Sequence, residues 1–159
     1  MNPPEKKIKR EISAGIIVYR RTEDGLRFLI LYHRGRYWNF PKGKIESEEK
    51  SLAAAIRETK EETGLGVHDL RLIRDFKAHE RYYFRKENQP VYKIVIFYLA
   101  ETRRADIKLS HEHNGYGWFL LNDARRILGG YRASQKILKQ AHDLIRQKST
   151  RGREPHSAR

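Results

Sequence analysis

The chain has 159 residues, 38% of them hydrophobic and 34% charged, with no cysteine and a formal charge of +14. That size and balance fit one globular domain with a sizeable core, and they exclude disulfides and thiolate chemistry. No apolar run approaches the roughly 18 residues a membrane span needs, and no apolar stretch follows the charges of MNPPEKKIKRE. No membrane contact and no secretory signal are therefore expected, and the cytoplasm is the expected location.

Much of the charge is terminal. Residues 1–10 carry a net +3 and residues 130–159 a net +6, together nine of the fourteen charges. This predicts flexible basic ends at 1–10 and 149–159 around a domain at 11–148, with only weak attraction to RNA or another polyanion.

Ile12–Tyr19 is rich in β-branched and aromatic residues and ends in the turn RRTEDG; Phe28–His33 follows as the second arm of a hairpin. Tyr37–Phe40 reads as a short extended piece halted by Pro41, with Gly43 in a loop. From Ser47 to Thr63 the period changes, with a helix expected from about Ser51: Leu52, Ile56, Thr59 and Thr63 share a face, and Gly64 marks the stop. Strand patterns recur near Leu70–His79, Tyr82–Phe84, Tyr92–Leu99 and Tyr116–Leu120. Asn122 is placed to cap a short helix ending at Gly129-Gly130, and Ser134 to cap a longer one built on Ile137, Leu138, Ala141 and Leu144-Ile145. The predicted architecture is an α/β sandwich, a mixed sheet with one helix on each side.

Glu58, Glu61 and Glu62 stand at spacings i, i+3 and i+4, on one stripe of the helix. Three carboxylates side by side repel one another, and a bare helix gains nothing from them. A hard divalent cation needs such oxygens from one side and leaves positions for phosphates. The small neighbours Ala54 and Ala55 are read as leaving room for it.

The stripe belongs to a longer pattern: Gly43, five residues, Glu49, seven residues, then Arg57-Glu58-Thr59-Lys60-Glu61-Glu62-Thr63-Gly64-Leu65. This resembles the signature of the Nudix hydrolases, G-x5-E-x7-R-E-U-x-E-E-x-G-U, where U is bulky and apolar. Seven fixed positions at average usage coincide by chance in about one window in 10⁸ to 10⁹. Thr59 at the first U position is the only departure. The resemblance implies a Nudix α/β/α sandwich with Mg²⁺ or Mn²⁺ as cofactor and Glu58, Glu61 and Glu62 around the metal. It implies attack of a metal-bound water on a phosphorus of a substituted nucleoside diphosphate. Glu58 and Glu61 are expected to be catalytic. Gly43 and Gly64 are expected to allow backbone shapes a Cβ would resist, and Arg57 to orient a glutamate, Glu49 being the nearest candidate.

Three further stretches resemble the asymmetric diadenosine tetraphosphate hydrolases within that family. They are Trp38-Asn-Phe-Pro-Lys-Gly-Lys-Ile-Glu46, Tyr83 with Lys93–Glu101, and Leu109-Ser-His-Glu-His-Asn-Gly-Tyr-Gly-Trp118. By that resemblance Lys42 and Lys93 meet the polyphosphate, Tyr83 and Tyr116 sandwich an adenine, and Glu112 acts as base or outer ligand beside the attacking water. Tyr82 is the one-residue rival of Tyr83, and His33 is unassigned. His111 and His113 flank Glu112, but neighbours on extended backbone point opposite ways and do not meet one ion. Lys44 replaces the family's usual histidine, and the loop Glu46-Ser-Glu-Glu49 is unusually acidic. The implied substrate is a small nucleotide handled by a monomer, diadenosine tetraphosphate giving ATP and AMP. Alternatives are triphosphorylated RNA ends, diphosphoinositol polyphosphates, or a silent nucleotide-sensing module.

Overall fold

In the computed structural model, which describes residues 2, 7–34 and 36–151, the hairpin expected from RRTEDG joins β1 (Lys9–Thr22) to β2 (Gly25–His33). Its register closes from Tyr19 opposite Phe28 to Thr22 opposite Gly25, where a φ of 122° calls for glycine. Two short strands follow, β3 (Tyr37–Asn39) and β4 (Lys42–Lys44), and then α1 (Ser51–Thr63). Gly43 thus lies in a strand, paired with Ala14, and not in a loop.

The strand expected over Leu70–His79 is split: β5 (Arg71–Leu72) ends at a turn in which the Phe76 N–H bonds the Ile73 carbonyl, and strand resumes only at Ala78. β6 (Ala78–Lys86) is continuous and forms a hairpin with β7 (Gln89–Glu101). Its turn is Glu87-Asn88, with φ of 52° and 62°, the mirror-image turn that matches strand twist. β8 (His113–Leu120) leads directly into α2 (Leu121–Leu128), and α3 (Arg132–Arg151) completes the described chain. Neither expected cap holds: Leu120 is the N-cap residue of α2, without a side-chain bond, and Ser134 lies inside the first turn of α3.

The sheet is mixed, because β7 runs parallel to β1 while the other pairs are antiparallel. Both faces are covered, which explains the unbroken buried run Ala14–Tyr19. Ala14, Ile16 and Val18 face α1 through Ala54 and Ala55. Ile17 and Tyr19 face α2 and α3 through Leu128, Leu138 and Ile145. Two helices, not one, therefore cover that side. Each fully buried leucine or isoleucine contributes roughly 1.5–3 kcal/mol, enough to fix α3 along its inner stripe.

Of the ends expected to be flexible, residues 1, 3–6 and 152–159 lie outside the described residues; Lys9 and Arg10 open β1, and 149–151 end α3. Among the described residues no helix is long and apolar enough to cross a membrane.

Candidate active site

The buried face of α1 is Ala54, Ala55, Thr59, Glu62 and Thr63. It is rotated from the expected face, and Leu52 is exposed. Ala54 and Ala55 are buried against the sheet, so their small size brings the helix close to β1 and opens no room for ions. Thr59 packs inward as expected, its hydroxyl donating to the Ala55 carbonyl at 2.7 Å. The consequence is that Glu62 is nearly buried (7% exposed) while Glu61 stays in solvent.

Arg57 organises the outer side. Its Nε and Nη2 bind the two oxygens of Glu49 at 2.8 and 3.0 Å, Nη2 also donates to the Lys44 carbonyl at 3.1 Å, and Nη1 donates to Glu58 at 2.9 Å and Glu61 at 3.2 Å. These contacts raise the guanidinium pKa, the Glu49 bond most of all, and Glu49 is lowered in return. Gly43 serves a different purpose from the one expected. Its φ is ordinary, but a Cβ there would overlap the Glu58 carboxyl. Gly64, with φ of 78°, is the left-handed cap of α1, its N–H bonding the Lys60 carbonyl at 2.9 Å.

Burial, more than any other cause, raises the carboxyls of Glu58 and Glu62. Glu62 reaches about 8, its burial reinforced by the charges of Glu58 and Glu112 and opposed by the Lys42 N–H, which donates to it at 3.0 Å. Among the described residues no three acidic or histidine side chains already converge as a ligand set, since Arg57 draws Glu58 and Glu61 towards itself.

The loop carrying Glu112 is docked on the end of α1. Lys108 N–H bonds the Thr63 carbonyl at 2.9 Å and Ser110 N–H bonds the Glu62 carbonyl at 3.2 Å, so the loop satisfies two helix-end acceptors. His113 turns inward onto Ser110 Oγ (3.1 Å) and packs edge-on to His33 at 5.1 Å, whereas His111 and Glu112 are exposed. The two histidines therefore part because residues 111 and 112 form a turn, and extended backbone begins only at His113. A cavity of about 920 Å³ is lined by Glu58, Glu61, Glu62, His111 and Glu112 together with Lys42, Lys44, Lys93 and Lys108.

Lys93 does not reach out to solvent. It is buried with its ammonium 3.5 Å from Glu11, which also receives Lys44 at 3.1 Å. Burial opposes ionisation of Glu11, but the Lys44 hydrogen bond and the two lysine charges outweigh it and lower its pKa. Glu11 was invisible as a site residue because its partners come from β4 and β7. Lys42 and Lys93 are both lowered, chiefly by burial.

These same two lysines also line a second cavity of about 570 Å³, walled by Tyr37, Tyr82, Phe84 and Tyr131 and by Glu80. Neither tyrosine of the expected pair is among the residues that line it. Tyr83 points to the other face of β6 and packs on Tyr92 with the rings tilted, 4.8 Å between centroids. Tyr116 lies on β8, and β7, β1 and β2 intervene between that strand and β6. Tyr82 and Tyr131 line the cavity in their place. Glu80 is 7% exposed and accepts the Ser134 hydroxyl at 3.1 Å; this contact, not capping, is the role of Ser134.

A family model described as NUDIX domain matches residues 9–141. The chain belongs to the Nudix family, and the α/β sandwich expected from the signature is the fold observed. More particularly, it is 35% identical over 118 residues to the asymmetrical bis(5'-nucleosyl)-tetraphosphatase of Caenorhabditis elegans, covering 72% of this chain and 83% of that one. It is 31% identical over 143 residues to the Mus musculus protein of the same name, covering 84% and 94%. The crystal structure of a C. elegans Ap4A hydrolase binary complex superposes with a TM-score of 0.75 at 30% identity, over 86% of this chain and 98% of that one.

Proposed function

We propose that this chain is a Mg²⁺-dependent hydrolase of dinucleoside polyphosphates that splits diadenosine tetraphosphate asymmetrically into ATP and AMP, as a cytoplasmic monomer. The observation that carries this reading is the adjoining of two cavities through Lys42 and Lys93, one rich in carboxylates and lysines, the other aromatic. A substrate with a base at the end of a long phosphate chain matches that sequence of surfaces. The relatives named for the same reaction, similar over most of their length, support it.

The residues fit a hard divalent cation. Glu58, Glu61 and Glu62 offer only oxygens, and a cation beside Glu58 and Glu62 would offset both the burial that chiefly raises their carboxyls and the repulsion of neighbouring carboxylates. Glu58, Glu61 and Glu62 would hold it; when bound, it supplies charge to offset the phosphate oxygens and acidifies water. Lys42 and Lys93 bind the remaining phosphate charge. Glu112, exposed at the cavity wall, takes the proton of the attacking water on a carboxylate oxygen. Tyr82 and Tyr131 hold the base, leaving the chain in line with the carboxylates.

Stacking is worth roughly 1–3 kcal/mol per base. Tyr82→Ala is accordingly expected to raise KM for diadenosine tetraphosphate by about 5- to 150-fold, and Tyr83→Ala to leave it within about twofold. Steady-state kinetics on the two variants decide between the adjacent tyrosines.

A pH dependence also follows from Glu62. With its pKa raised from 4.5 to about 8 in the fold, the folded chain retains a proton that the unfolded chain has lost across that interval. The metal-free protein therefore loses stability as pH rises through the window. Mg²⁺, which needs the carboxylate, gains affinity over the same range. Thermal melts in EDTA should show wild type falling relative to Glu62→Gln between about pH 5 and pH 8. The Mg²⁺-induced rise in Tm should be larger at pH 8 than at pH 6.

The substrate itself is tested with a panel of diadenosine tri- and tetraphosphate, 5'-triphosphorylated RNA, ADP-ribose and a diphosphoinositol phosphate. The tetraphosphate should have the highest kcat/KM; a preference for the RNA would overturn the proposal.

A further inference from the structure

The aromatic cavity contains one acidic group that the hydrolytic chemistry leaves idle. Along β6, Ala78, Glu80, Tyr82 and Phe84 form a single row facing α3, and Glu80 and Tyr82 both open onto the cavity. Among the described residues lining it, Glu80 is the only carboxylate. The charged wall groups besides it are the cations Lys42, Lys93, Arg81 and Arg132; the tyrosine hydroxyls can donate or accept, and the Oδ1 of Asn39 is already taken by the Phe40 N–H at 2.8 Å.

Glu80 is more than nine-tenths buried, so its unused acceptor capacity is costly. A carboxylate has about four lone-pair sites. The Ser134 hydroxyl, at 3.1 and 3.3 Å from the two oxygens, supplies one proton between them. Ser134 is itself 2% exposed and held on the first turn of α3, so it fixes the carboxyl in place without saturating it. Among the described residues no wall lysine or arginine hydrogen-bonds to Glu80, so a donor arriving from the cavity has acceptor sites to meet.

A base stacked on Tyr82 would bring its edge to that row. We propose that Glu80 is a specificity-determining residue of the base subsite: its carboxyl accepts the exocyclic amine of a purine held against Tyr82. Adenine supplies such a donor at N6. A purine with hydrogen at that position leaves the Glu80 acceptor unpaired, and sites built to bond a ligand N–H reject analogues that lack it. This inference rests on reading the aromatic cavity as the base subsite of a nucleotide hydrolase, and it adds the group that reads the base. Two other roles compete with it. Glu80 could only neutralise Lys42, or only anchor α3 through Ser134.

Binding of product-sized ligands separates these roles without relying on turnover. Calorimetric titration of the full chain with AMP and with purine riboside 5'-monophosphate, which lacks the amine, gives an affinity ratio for each protein. Wild type should favour AMP by about tenfold or more, the amount expected for a hydrogen bond to a charged group. Glu80→Ala should bring the ratio within about twofold of unity. Glu80→Gln, which retains a carbonyl acceptor and the shape of the side chain, should keep most of the preference, and it serves where the alanine variant folds poorly. A ratio near one in wild type would overturn the proposal, as would equal weakening of both ligands in Glu80→Ala with the ratio unchanged. Because these titrations need no hydrolysis, an inactive wild type would count against the proposed reaction and leave the base-reading result standing on its own.

Discussion

Glu62→Gln is expected to lower the Mg²⁺-dependent kcat by about a thousandfold while leaving the fold intact. Glu62 is the most buried carboxylate of the stripe, and its oxygen accepts the Lys42 N–H at 3.0 Å. Glutamine keeps the shape and that hydrogen bond, so the packing of α1 on β1 and β4 has no reason to change. What disappears is one anionic ligand, worth several kcal/mol of charge stabilisation; at tenfold per 1.36 kcal/mol, about 4 kcal/mol gives the thousandfold loss. Without metal the variant should melt no lower than wild type above about pH 8, because the buried negative charge has been removed. Steady-state rates and melts in EDTA check both halves. Activity within tenfold of wild type would show that α1 is not the catalytic element.

Gly43→Ala should be the next most damaging change. Gly43 is fixed by strand pairing with Ala14, so the added methyl group cannot swing away, and it would occupy the space of the Glu58 carboxyl. Glu58 in turn is held by Arg57, which also binds Glu49, Glu61 and the Lys44 carbonyl. Relief must come from displacing Glu58 or from separating β4 from β1. Overpacking of this kind costs typically 1–3 kcal/mol of stability. Loss of a correctly placed catalytic group through such a displacement costs on the order of a hundredfold in rate. A lowered melting temperature together with a kcat loss that added Mg²⁺ fails to restore is the expected result. Unchanged kinetics would mean that Glu58 has more freedom than its packing against Gly43 allows.

What could be read from the sequence was what depends on short spacings. The carboxylate stripe lies within five residues of one helix, and helical geometry alone aligns it. Arg57 finding Glu49 spans eight residues between a loop and the helix that follows it. The β1–β2 hairpin carries its turn chemistry in six letters.

What escaped was what the sheet assembles. Glu11 meets Lys44 and Lys93 across 33 and 82 residues, through the pairing of β1 with β4 and β7. Glu80 meets Ser134 across 54 residues, and a serine that would cap a helix became instead the partner of a buried carboxyl. The tyrosines show the cost of a period of two: a shift of one residue exchanges the faces of a strand, and Tyr82 and Tyr83 are both plausible until the pairing with β7 is known. Tyr131 carries no pattern of its own, since it joins the site only where the turn between α2 and α3 approaches β6. Ala54 and Ala55 were misread for the same reason, because a small residue beside a charged stripe signals close helix–sheet packing as readily as open space.

The most direct measurement is identification of the products formed from diadenosine tetraphosphate by the purified 159-residue chain with Mg²⁺, with Glu62→Gln run in parallel. Equal amounts of ATP and AMP from wild type, and almost none from the variant, are the predicted result. Two molecules of ADP, or unchanged cleavage by Glu62→Gln, would contradict the proposal.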